Sequence, residues 1–238
     1  MPKIAIVAAL EREVSPLIKN WSRIQREHEG RWFTFFERGE VVVVCGGIGV
    51  ESARRAAEAV IALYRPVLIQ SAGFSGALDA NLRVGDRFSP SLVLDARDGS
   101  RIQLPGGEGT LVTFSAVAGA GQKAKLAQAY GARAVDMEAA AVAASASSHG
   151  IAFGVTKVIS DEFDFEMPDL SAFIDAEGRF RAMQFIFFSA LRPWLWKRLA
   201  ILAGNSRTAA LALSAHLQSF CDESRHCVPE SCRWHTLV

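Results

Sequence analysis

ARAVDMEAAAVAASASSHG, residues 132–150, opens as a buried strand and continues as an alanine-rich helix. Two carboxylates, Asp136 and Glu138, stand at the junction, where an apolar layer is expected. An unpaired charge in apolar surroundings costs on the order of several kcal/mol. Glu138, among Val135, Met137, Ala139, Ala140 and Ala141, therefore needs a hydrogen-bonding role. Of the two acids, Asp136 is read as turned away from any pocket and Glu138 as facing it.

Outward from this junction, strands and helices alternate. KIAIVAA, 3–9, is a continuous apolar run of strand length, which suits a central strand covered on both faces. LEREVSPLI then starts a helix whose early Glu11 and Glu13 suit its positive end. Two strand-like runs, 31–37 and 40–45, flank a turn at Arg38-Gly39, and VESARRAAEAVIAL, 50–63, reads as a helix. PVLIQSAGFSG is a third apolar strand ending in glycines. Residues 84–100 give a strand with hairpin character, 102–109 a loop, and GTLVTFSAV a further strand. The helix GQKAKLAQAY precedes the opening stretch, and the apolar strand IAFGVTKVIS follows it. The pattern predicts one α/β domain of three layers, α/β/α, around a central mixed sheet.

After Asp161 the chain changes character. A polar and aromatic loop leads into FRAMQFIFFSALRPWLWKRLAIL, 180–202, a very apolar helical region interrupted by Pro193. SRTAALALSAHLQSF, 206–220, reads as an amphipathic helix with Ser206 as N-cap. The domain is therefore taken as residues 1–220, its apolar helical part as 178–220, and 221–238 as a polar, flexible tail. In that tail Cys221, His226, Cys227, Cys232 and His235 are the right elements for zinc, but no short CxxC unit accompanies them, so no metal site is assigned.

The totals exclude several classes. A net charge of +1 gives no support for nucleic-acid binding. The N-terminal apolar run is only about seven residues long, too short for a signal peptide, and no window reaches the roughly 18–20 apolar residues of a membrane span. A cytoplasmic protein is the expectation. Two readings of residues 180–202 stand open. Phe185, Phe187, Phe188, Trp194, Leu195 and Trp196 either bury against the sheet or a dimer partner, or rest on a membrane surface as a peripheral contact or lipid-sized groove.

Ligands of such sheets gather outside the carboxyl ends of the strands. Glu13, Glu138 and Asp161 all occupy such ends, and the glycine segments CGGIG, 45–49, and SAGFSGAL, 71–78, belong to the same rim. Glycine there lets backbone amides approach a ligand. Neither a GxGxxG nor a GxxxxGK[ST] spacing is present. Glu13 and Asp161 also have plain readings, as a first-turn acid and as a helix cap.

The pieces IAIVAALEREV, GGIGVESA, SAGFSGALDANLRVGD, AVDMEAAAVA and KVISDEFD, in that order, resemble the nucleoside phosphorylase and nucleosidase superfamily. The branch most similar holds methylthioadenosine/S-adenosylhomocysteine nucleosidases and the hopanoid-associated phosphorylases. The resemblance implies hydrolysis of a purine nucleoside, an adenosine derivative, without metal or organic cofactor, by a homodimer. It implies Asp161 as the acid to the leaving base, oriented by Ser160, and Glu13 as the group that activates water. Glu138 would grip the ribose hydroxyls with Met137 packed on the sugar, and Gly73, Phe74 and Ser75 would contact base or sugar. Val117 stands where a stacking aromatic is expected, which leaves Phe74 or Phe163 to stack from another side. An RxGT-like phosphate segment is missing, and Glu13 would repel a phosphate dianion, so water is favoured; Arg12 and Arg83 keep phosphorolysis open. The C-terminal part resembles the hopanoid-associated tail, which implies an adenosylhopane-like substrate as one choice. A binding protein without turnover is the reading from another class.

Overall fold

A computed structural model describes residues 4–166, 171–173, 175, 178, 181 and 193–226. The sheet is built around β5 (Leu68–Ala77), which pairs in parallel with β1 (Ile4–Ala8) and with β11 (Ala152–Asp161). Its last residues, Gly76 and Ala77, pair antiparallel with Val135 and Ala134 of β10 (Ala132–Asp136). Outward from β1 lie β4 (Val41–Cys45), β3 (Arg31–Arg38) and β2 (Ser22–His28). Beyond β10 lie β9 (Thr110–Thr113), β7 (Leu92–Asp95) and β8 (Arg101–Gln103), while the short β6 (Arg87–Phe88) pairs with β11. Parallel and antiparallel pairs coexist, so the sheet is mixed as expected.

Helices cover both faces. Against one face pack α2 (Val50–Tyr64) and α4 (Ala139–Ser148), whose alanines let them lie close over Phe35, Val42, Val44 and Ile69. Against the other pack α1 (Glu11–Ile18) and α5 (Pro193–His226), with Val14, Leu17, Leu213 and Leu217 over Ile6, Val43 and Val158. On that same face α3 (Ala120–Tyr130) places Leu126 against Leu94, Val112 and Val135. The result is the three-layer α/β/α arrangement.

Several expectations need correction. The polar run 22–28 forms an edge strand, held by antiparallel pairing along all of β3. Its side chains face solvent, so no apolar alternation marks it. Residues 102 and 103, expected as part of a loop, pair with β7. Ser206 is no N-cap, because one helix runs from Pro193 to His226. Pro193 stands at the start of that helix, where its missing N–H has no partner to lose. The helix also continues into the stretch expected to be flexible. Buried Ala209, Leu213, Leu217 and Cys221 repeat every fourth residue, and that stripe carries the helix past residue 220. The remaining tail, 227–238, and the apolar residues 182–192 lie outside the described residues.

Gly46 shows how tightly α2 is seated. An added Cβ there would stand 2.6 Å from Ala56 Cβ and 2.8 Å from the Ser52 carbonyl oxygen, and the backbone cannot yield as a flexible side chain does. Gly46→Ala is therefore expected to destabilise the protein by about 1–3 kcal/mol through overpacking, read as a lower urea midpoint. An unchanged midpoint would show that α2 has slack.

Candidate active site

The carboxyl ends of β1, β5, β10 and β11 open into a cavity of about 470 Å³. Ala9, Leu10 and Glu13 follow β1, while Phe74, Ser75 and Gly76 close β5. Met137 and Glu138 follow β10, and Ser160 and Asp161 end β11. Val117 and its alanine neighbours reach in ahead of α3, and Leu199, Leu202, Ala203 and Ser206 of α5 form the outer wall. Of the residues expected from sequence, Glu13, Phe74, Ser75, Val117, Met137, Glu138, Ser160 and Asp161 line this cavity together. Gly73 and Phe163 are not on its wall. Gly73 lies behind Glu13, where a Cβ would stand 3.0 Å from Glu13 Oε2. Phe163 is half-buried in the turn after β11. Among the described residues Phe74 is thus the aromatic ring on the wall.

Glu138 is held where strand gives way to helix. Gly49 N–H donates to its Oε1 at 2.9 Å and Met137 N–H to its Oε2 at 3.2 Å. Gly49 lies between β4 and α2, so this bond ties two separate strand ends to one carboxylate. Asp136, expected to turn away, also borders the cavity at the end of β10, in keeping with strand alternation, which gives residues two apart the same face. It accepts from Thr113 Oγ1 at 2.6 Å and from Ala139 N–H at 2.8 Å, while Ala140 N–H donates to Thr113 Oγ1 at 3.0 Å. The buried start of α4 thereby loses no hydrogen bonds.

The counter-charge is Lys157, which no expectation singled out. Its Nζ lies 2.8 Å from Asp136 Oδ2, with both side chains fully buried. Burial opposes the Lys157 charge, but Asp136, Glu138 and Glu13 outweigh it and hold its pKa above the usual lysine value. Burial, with the Glu138 charge adding to it, pushes Glu13 up to about 7 against the pull of Lys157. Glu138 is pushed up to about 6, again by burial first and by Asp136, with Lys157 opposing. Leu10 N–H donates to Glu13 Oε2 at a long 3.4 Å, one arm of a capping box.

At the other end of the cavity Ser160 Oγ donates to Asp161 Oδ1 at 2.7 Å. Asp161 Oδ2 takes a buried ion pair from Lys123, whose Nζ also donates to the Glu162 carbonyl at 2.5 Å. Gly76 makes room for the pair, since a Cβ there would stand 2.9 Å from Asp161 Oδ2. Ser75 Oγ is buried without a hydrogen-bond partner. Lys157 had a signal in sequence, a lysine inside the apolar strand IAFGVTKVIS, by the same reasoning that exposed Glu138. Lys123 had almost none, because lysine on a helix is mostly solvated.

The chain matches the phosphorylase superfamily over residues 3–106 and 87–185, and it belongs to that family. It is 32% identical over 91 residues to 5'-methylthioadenosine/S-adenosylhomocysteine nucleosidase of Buchnera aphidicola, covering 37% of this chain and 39% of that protein. It is 27% identical over 89 residues to aminodeoxyfutalosine nucleosidase of Campylobacter jejuni, covering 36% and 39%. The alignments thus span about 39% of the length of these curated relatives. Among solved structures, apo 5'-methylthioadenosine nucleosidase of Arabidopsis thaliana superposes with a TM-score of 0.70 at 18% identity, covering 94% of this chain and 96% of that one. Among the described residues no helix is long and apolar enough to cross a membrane.

Lys157→Met leaves Asp136 buried without its cation. The variant is expected to lose about 3–5 kcal/mol of stability in urea unfolding. A loss below about 1 kcal/mol would mean that water or rearrangement replaces the ammonium.

Proposed function

We propose that this chain is a nucleosidase that hydrolyses the N-glycosidic bond of a purine nucleoside, an adenosine derivative. The observation that carries the reading is the convergence of Glu13, Glu138 and Asp161 on one cavity, each in a different electrostatic setting. Cleavage of the ribosyl C1'–N9 bond builds positive charge on the sugar and negative charge on the base. Glu138, ionised at neutral pH, accepts hydrogen bonds from two ribose hydroxyls and faces the growing positive charge. Met137 packs on the sugar, and the unpartnered Ser75 hydroxyl is available to the substrate. Glu13, at about 7, is matched to taking a proton from water as it attacks C1'. Asp161, oriented by Ser160, serves the leaving base between Phe74 and Val117.

Water is favoured over phosphate by charge. Lys157 and Lys123 are committed to carboxylates, and Glu13 and Glu138 would face an incoming dianion. Arg83 spends its guanidinium on the Ala80 and Leu82 carbonyls. Arg12 does line the cavity, and that observation keeps a phosphorylase as the second reading. The apolar outer wall from α5 favours an apolar 5' substituent, alkylthio or adenosylhopane-like. Exposed Trp196, Ile201 and Leu211 on the same helix suit a dimer interface or a membrane surface, the two uses expected of this region.

The test is release of free base from methylthioadenosine, S-adenosylhomocysteine, inosine and a lipid-linked adenosine, with and without phosphate. Activity without phosphate is expected, with Glu138→Gln and Asp161→Asn lowering kcat/KM on the best substrate by roughly 100-fold or more. Full activity in both variants would place the chemistry elsewhere. The pH profile checks Glu13 separately. A base must be ionised, so kcat/KM is expected to fall as pH drops through about 7, and Glu13→Gln is expected to remove that limb along with most of the rate. An acid limb unchanged in Glu13→Gln would assign it to another group.

A further inference from the structure

We propose that Lys123 is the proton source for the departing base and delivers that proton through Asp161. The inference rests on the nucleosidase reading and goes one step past it. Asp161 is satisfied on both oxygens, by Ser160 Oγ on one and by the Lys123 ammonium on the other. Both oxygens therefore face donors, and the Lys123 ammonium is the charged one of the two. The nearest acidic hydrogens are those of Lys123, which is fully buried, borders the cavity and is paired there with Asp161. Its remaining contact, the Glu162 carbonyl, fixes the ammonium without taking its charge. Gly76 leaves room for this contact, because a Cβ there would stand 2.9 Å from Asp161 Oδ2 and 3.2 Å from Lys123 Cε, so that one of the pair would have to shift.

The step balances. The C1'–N9 bond breaks with its electron pair going to the base, and the base takes a proton at N7 from Asp161. Asp161 receives one from Lys123 Nζ, which becomes a neutral amine. Water adds hydroxide to C1' and leaves its proton on Glu13. After the products depart, solvent carries a proton from Glu13 back to Lys123. Nothing beyond water and the nucleoside is consumed. Lys123 acts through Asp161 and is a positioning and proton-supplying residue.

The experiment separates holding Asp161 from supplying the proton. In Lys123→Arg the charge and the hydrogen bond remain, but guanidinium does not release its proton in proteins. In Lys123→Gln an amide hydrogen remains, and it too is not acidic. Both variants and the wild type are assayed on adenosine, 6-chloropurine riboside and p-nitrophenyl ribofuranoside, whose leaving groups need progressively less protonation. The expected result is a loss of roughly 100-fold or more in kcat on adenosine, shrinking along the series to less than about threefold on the last. Misfolding lowers all three alike, so an equal loss across the series makes Lys123 structural and overturns the proposal. Full activity of either variant on adenosine overturns it as well. Wild-type protein that cleaves none of the three, nor methylthioadenosine, defeats the nucleosidase reading itself and this inference with it.

Discussion

Lys157 places a fully buried ammonium 2.8 Å from Asp136, close enough to Glu13 and Glu138 to shift both. Three carboxylates in one apolar rim would otherwise repel one another and take up protons. A single cation, projecting from the central strand β11, lets them stay together. Asp136 in turn anchors the start of α4 through Ala139, so the same ion pair fixes the helix that Glu138 immediately precedes. Removal of Lys157 would therefore disturb packing and electrostatics at once.

The two buried lysines divide the cavity by task. Lys157 lies under the end where Glu13 and Glu138 would meet sugar and water, and Lys123 lies beside Asp161 at the end proposed for the base. Neither guards an open anion site, since each is paired to a carboxylate. The polarity of the proposed reaction has the same layout: positive charge grows next to Glu138, and negative charge grows next to the Asp161–Lys123 pair. Preorganised charge of this kind acts without reorganisation during bond cleavage.

Much of this was legible in the sequence, for physical reasons. Central strands covered on both faces show as continuous apolar runs, which marked β1, β5 and β11. An acid at the end of such a run is costly, which marked Glu138 and Asp161. What was not legible depends on partners distant in sequence. β2 carries polar side chains and is a strand because β3 pairs with it. Asp136 and Lys157 lie 21 residues apart and on strands that never pair; only the folded sheet brings them together. Lys123 reads in sequence like any solvated helix lysine, and only the folded chain sets it beside Asp161 at the end of β11. The long helix α5 reads in sequence as two, because Ser206 has the chemistry of a cap, whereas the helix runs unbroken through it.

The central claim is that water, activated beside Glu13, is what the cavity adds to the sugar. It is tested most directly by running base release from methylthioadenosine in ¹⁸O-water with phosphate present and analysing the sugar by mass spectrometry. The account predicts free 5-methylthioribose carrying one ¹⁸O at C1'. A sugar 1-phosphate without the label would contradict it.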